Sequence, residues 1–190
     1  MSQPPTVRGS AEDIASVLGR IPSGLFVVTW LDPGDGGDRG MLASWVMQAG
    51  FEPPSISLAV APSRGLAAAI EAGTPFVVNL LAEGQRSMVG RFGRPASQAQ
   101  NGQAGGGYDP FDGLSVERAP CGAAILAPGS GWLECVGAGG ITATDHRVVV
   151  AVVRAAGCGF FQAAPNDGPI GDGRIADGPI VHLRKNGLRY

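Results

Sequence analysis

One stretch of the sequence gathers groups that bind phosphate. A strand-like segment with period-two alternation, Ser55–Ala61 (SISLAVA), runs through Pro62 into Ser63-Arg64, where a helical pattern begins (Ser63–Ala72, SRGLAAAIEA). The first N–H groups of a helix have no intrahelical acceptor and sit at the positive end of its dipole. A hydroxyl at Ser63 and a guanidinium at Arg64 beside them suit a phosphate. The blander reading of the same residues is an ordinary serine N-cap followed by a solvated arginine.

Other chemistries have little to work with. His146 and His182 are the only histidines and form no HExxH or similar cluster, so a histidine-rich metal centre is not expected. Cys121, Cys135 and Cys158 are odd in number and widely spaced; buried free thiols are the default for them. Lys185 is the single lysine against thirteen arginines, which leaves little room for Schiff-base or P-loop chemistry. There is no GxxxxGK[ST] and no GxSxG. A nominal GxGxxA (Gly171, Gly173, Ala176) lies in a Pro/Gly/Asp stretch without the strand and helix that a dinucleotide fingerprint needs. A formal net charge of −2 gives no basic footprint for nucleic acid. No apolar run approaches a membrane span, and Met1–Ser10 lacks the order of a secretory signal, so a cytoplasmic protein without a membrane partner is expected.

The elements that must carry these residues are short strands. In 190 residues, hydrophobic types make up 44% and charged types 16%, enough for a real core, while Gly and Pro together approach a quarter. Ser10 and Asp13 resemble a capping box before a helix near Glu12–Gly19. Gly24–Leu31 reads as a strand, Asp32–Gly40 as a turn, and Met41–Phe51 as the returning strand of a hairpin. After Ser63–Ala72, with Gly73 as its C′ residue, come a strand at Phe76–Leu81 and a second short helix at Gln85–Phe92. Pro95–Gly113 has no apolar periodicity and reads as a flexible insertion within one domain spanning 1–190. Ala123–Leu126, Trp132–Val136 and a long strand at His146–Ala156 follow. Ile180–Lys185 is the last strand, and Asn186-Gly187 signals a closing hairpin. Roughly seven strands joined by hairpins, without regular βαβ alternation, favour a mainly β fold: an antiparallel barrel with a few short peripheral helices.

Gly40–Pro54 (GMLASWVMQAGFEPP), followed by SISLAVAPSR and PFVVNLL, resembles the flavin reductase-like family, the FMN-binding split barrels. The likeness is greatest to the C-terminal flavin reductase-like domain of cyanobacterial and plant flavodiiron proteins. It spans roughly Leu18 to Tyr190, and Asp145-His146 and the terminal PIVHLRKNGLRY fall in the expected order. The length and the two histidines do not suffice for a di-iron domain, so a standalone reductase or a detached module is expected.

The resemblance implies a Greek-key split barrel and a set of site residues. Ala43, Ser44, Trp45 and Val46 match the segment that holds the flavin with its backbone; small residues there let the main chain approach the ring. Leu42 stands where the family often has Thr or Ser. Ser63 and Arg64 match the phosphate site, the same place that the helix-start argument marks. Asn79 and Arg91-Phe92 match positions near the flavin. His146 matches a Gly-Asp-His motif near the nicotinamide, with Thr144 in place of the Gly. His182 could face the ring or pair across the sheet. The implied activity is hydride transfer from NAD(P)H to FMN, with FAD less favoured, in a homodimer, with a possible protein partner for electron transfer. Such chemistry needs little acid–base help, in keeping with the lack of a catalytic triad or carboxylate pair. A flavin carrier without enzymatic activity and a pyridoxamine phosphate oxidase-like flavoenzyme are the alternatives; the second would want more basic residues.

Overall fold

A computed structural model describes residues 9–93, 108–126, 129–158 and 179–182. Helix α1 (Ala11–Leu18) starts as its sequence dictates: Ser10 Oγ accepts from the Asp13 N–H at 3.0 Å and donates to the Asp13 carboxylate at 2.6 Å. The strands are β1 (Ser23–Gly24), β2 (Phe26–Leu31), β3 (Asp38–Ala43), β4 (Val46–Phe51), β5 (Pro54–Val60), β6 (Phe76–Leu80), β7 (Val116–Arg118), β8 (Ala124–Leu126), β9 (Gly131–Ala143), β10 (His146–Cys158) and β11 (Val181–His182). Helix α2 (Gly65–Glu71) lies between β5 and β6; α3 (Ser87–Phe92) follows β6 after a 3-10 turn at Glu83–Gln85.

Seven strands form one antiparallel sheet in the order β3-β2-β6-β9-β10-β5-β4. The fold is therefore mainly β with few helices, as expected. Consecutive strands β3 and β4 lie on opposite edges of the sheet. Ala43 ends β3 opposite Phe26, the first residue of β2, whereas Val46 begins β4 opposite Leu58, near the end of β5. In the strand order these are diagonal corners. Three Cα steps of about 3.8 Å each connect them, so the sheet must coil and its strands tilt until the corners meet. No ladder joins β3 to β4. The chain itself bridges this seam, and the barrel is split there.

The interior follows from period-two alternation. Val28, Leu58, Val60, Phe76, Val78 and Val149 fill the barrel, and each such side chain taken out of water contributes about 1.5–3 kcal/mol. The ribbon β7–β8 covers the opposite face of β2 and β6, so β2 is buried on both faces. Asn79 ties this layer down. Its amide Nδ2 donates to Val27 O at 3.1 Å, and its Oδ1 accepts from Leu126 N at 2.9 Å. Thr29 Oγ1 donates to Ala124 O at 2.5 Å in the same layer. Arg118 forks onto Asp38 and fastens the ribbon to the start of β3.

The architecture departs from the sequence reading in several places. Met41–Phe51 is two strands, broken at Ser44-Trp45, and its first half already pairs from Asp38. The short strand expected at Trp132–Val136 extends to Ala143. The glycines in that extension permit close packing: a Cβ on Gly140 would lie 2.5 Å from Val148 O, and one on Gly137 2.8 Å from Ile70 Cγ2. Strand β7 was not expected. The α2 N-cap is Arg64 rather than Ser63, without a side-chain capping bond, although Gly73 does follow the helix with φ +77°. Of the three thiols, Cys135 is buried, Cys121 intermediate and Cys158 exposed, so burial is not general. Of the expected insertion, 95–107 lies outside the described residues; Phe111 packs edge-on against Phe92 at 5.2 Å, and Arg91 Nη1 donates to Asp112 O at 2.7 Å. The Asn186-Gly187 turn and the GxGxxA stretch also lie outside the described residues.

Candidate functional site

The seam is where the candidate residues collect. Ala43 and Ser44 are buried at the end of β3 and just beyond it. The Ser44-Trp45 peptide lies outside the β2–β3 and β4–β5 registers, and Trp45 O accepts from Ala59 N at 3.0 Å. Val46 points into the core and Trp45 is its neighbour, so alternation turns Trp45 to the outer surface. The same rule turns His146 and Val148 outward beside the buried Val149. The two rings meet there: the Trp45 and His146 centroids are 4.9 Å apart with planes inclined at 57°. Trp45 remains 39% exposed, and the His146 side chain 16% exposed. An amphipathic indole and an imidazole thus share one surface spot.

His146 is oriented from behind. Asp145 Oδ1 lies 2.9 Å from His146 Nδ1 and accepts from Thr144 Oγ1 at 3.1 Å. These bonds, the one from His146 foremost, hold the Asp145 carboxyl below the usual carboxylate range.

Ser63 and Arg64 stand at the same end of the sheet. Arg147 pairs with Val60 at the end of β5, so His146 begins β10 beside the turn that carries Pro62, Ser63 and Arg64 into α2. Ser63 is exposed and Arg64 half-buried. Among the described residues no carboxylate pairs with the Arg64 guanidinium; Glu71, at the other end of α2, pairs with Arg147 instead.

The remaining candidates lie elsewhere. Asn79 is 2% exposed, and its amide bonds the protein's own backbone at Val27 and Leu126. Phe92 is buried in a second cluster with Leu25, Val27, Leu81, Leu126 and Ile180. His182 pairs in register with Ser23 in the two-stranded β1–β11 ladder. The sequence marks Thr144 and Asp145 as part of the motif around His146, but not that they orient its ring.

The donor set fits a flavin. The peptide leaving the ladder at Ser44-Trp45, the adjoining indole and imidazole, and a hydroxyl and guanidinium at the start of α2 offer a surface for an aromatic ring and a counter-charge for a phosphate. The profile of the flavin reductase like domain matches residues 18–161. The chain belongs to the flavin reductase-like family. As a member it is an oxidoreductase domain of the flavin reductase type. It is 33% identical over 142 residues to diflavin flavoprotein A 1 of Synechocystis sp., covering 74% of this chain and 23% of that protein. It is 33% identical over 184 residues to putative diflavin flavoprotein A 6 of Nostoc sp., covering 95% of this chain and 28% of that one. The flavin reductase-like chain thus spans about a quarter of the length of these curated relatives. The fold is shared with the NADH:FAD oxidoreductase SgcE6 of Streptomyces globisporus C-1027, with a TM-score of 0.68, 22% identity, and coverage of 99% of this chain and 92% of that one. Among the described residues no helix is long and apolar enough to cross a membrane, and no cluster of side chains could hold a metal ion.

Proposed function

We propose that this chain is an NAD(P)H:flavin reductase that holds FMN across the seam of the barrel. The observation that carries the reading is the Trp45–His146 contact on the outer surface, next to the turn bearing Ser63 and Arg64. When bound, the flavin supplies the chemistry by accepting a hydride at its N5 from the reduced nicotinamide. The chain's part is to bind and orient. Ala43, Ser44, Trp45 and Val46 line one side of the ring, with backbone amides as donors. Ser63 and Arg64 take the phosphate; one hydroxyl and one guanidinium suit the terminal monoester of FMN better than the diester of FAD. His146 stands on the exposed side, where a nicotinamide would dock. Phe92, buried in the second cluster, and His182 have no proposed contact with the ring.

A second copy would complete the site. Met47 is 72% exposed, Ile141 69% and Val150 41%, and they lie on the same outer face as Trp45. An apolar sheet face of this kind favours a homodimer that closes over the ring and excludes water. Electrons would then pass to a free flavin or to a protein partner.

The test is direct. The purified protein is titrated with FMN, FAD and riboflavin, then mixed with NADH or NADPH without air. Prompt bleaching of the bound flavin is expected. Bound flavin that stays oxidised would make the chain a carrier, and a protein that binds no flavin would overturn the proposal.

A further inference from the structure

Thr144 and Asp145 are the only residues between Ala143 and His146, which pair at the ends of β9 and β10. Thr144 has φ +53° and is the only described residue other than glycine with positive φ. A two-residue hairpin with positive φ at its first central position wants glycine there, because a Cβ crowds the following carbonyl. A β-branched residue is a poor choice for this conformation. Its hydroxyl is what sets it apart from glycine. Thr144 Oγ1 donates to the Asp145 oxygen that also meets His146 Nδ1. A carboxylate can only accept, so Nδ1 carries the proton, and in its neutral form the ring then presents Nε2 as an acceptor.

We propose that Thr144 is a positioning residue: by tethering Asp145 it holds His146 as the Nδ1–H tautomer, so that Nε2 accepts a hydrogen bond from the carboxamide N–H of a docked nicotinamide. The ligand half rests on the function proposed above; the tautomer half does not. Trp45 against the imidazole face limits the ring to few orientations, and the tether selects the protonated nitrogen.

The chain has two histidines, so 15N-histidine NMR of the flavin-free protein resolves two rings, and His182→Asn assigns them. In the parent, His146 should be the Nδ1–H tautomer. Thr144→Ser should keep it, and Thr144→Gly should shift the ring towards Nε2–H while folding at least as well. In the FMN-loaded enzyme, KM for NADH or NADPH should rise about 3- to 10-fold in Thr144→Gly, the worth of one hydrogen bond, with kcat little changed and Thr144→Ser at the parent level. A merely structural Thr144 predicts the reverse: glycine relieves the turn and KM stays put. An Nε2–H parent, or the same tautomer in parent and Thr144→Gly, would overturn the proposal. A parent that oxidises no nicotinamide nucleotide would sink the functional reading alone, because the tautomer comparison needs neither flavin nor nucleotide.

Discussion

Trp45 and His146 are separated by a hundred positions in the chain, yet their rings lie 4.9 Å apart. Strand β5 creates this contact, because β4 and β10 flank it: Trp45 O, just before β4, accepts from Ala59 N, and Ala59 pairs with Val148, two residues past His146. Aromatic contacts contribute about 0.5–1.5 kcal/mol beyond burial. Trp45→Ala is therefore expected to weaken FMN about 2- to 12-fold, measured by fluorescence titration. Unchanged affinity would place the ring site elsewhere.

Arg64 has no carboxylate partner among the described residues. If it grips phosphate, Arg64→Ala should weaken FMN by about 1.5–3 kcal/mol, the worth of a hydrogen bond to a charged group. Riboflavin has no phosphate and should bind the variant and parent alike. Equal loss for both ligands would remove Arg64 from the phosphate site.

The exposed face of Met47, Ile141 and Val150 should be covered by a second copy. Placing a charge there forces its desolvation on association. Val150→Glu together with Ile141→Glu is expected to convert a dimer to monomers in sedimentation velocity, and to weaken FMN with it. A dimer that survives both changes uses another surface.

Asn79 should matter to stability and not to ligand binding. Asn79→Ala leaves the buried Leu126 N–H without its acceptor, at a cost of about 1–3 kcal/mol, read from urea denaturation. FMN affinity of the folded variant should match the parent.

Burial pushes the Cys135 thiol up to about 12, with nearby Glu134 adding to the effect. Its thiol in the unfolded chain ionises near the ordinary value of 9.0. A raised folded value means that the stabilisation is full below pH 9 and is lost as pH rises towards 12. Cys135→Ala should therefore flatten the alkaline fall in stability. In native protein, Cys158 should react first with a thiol reagent and Cys135 only on unfolding.

Much of this architecture was legible in local patterns. Ser10 and Asp13 announce α1, Ser55–Ala61 alternates as β5 does, and Gly73 closes α2. What was not legible was set by distant partners. The break at Ser44-Trp45 has no Gly or Pro to mark it; Met41 to Val46 reads as one strand, and only pairing to opposite edges divides it. Gly137, Gly139 and Gly140 look like a loop, yet they are strand residues, with Gly137 pressed against Ile70 and Gly140 against β10. The site divides in the same way. Ser63-Arg64 could be found from the chemistry of a helix start. Trp45 and His146 each entered only through a family likeness, and their meeting depends on β5 pairing with both β4 and β10. The Thr144 tether depends on a backbone angle that no side-chain pattern reveals.

The two-residue bridge between the diagonal corners leaves the molecule no slack. Strand faces alternate, so one residue inserted or deleted between Ala43 and Val46 would turn β4 over. Val46 would swing into water, Met47 into the barrel, and the indole away from its imidazole. Point substitutions can be absorbed at this joint; a change of length cannot.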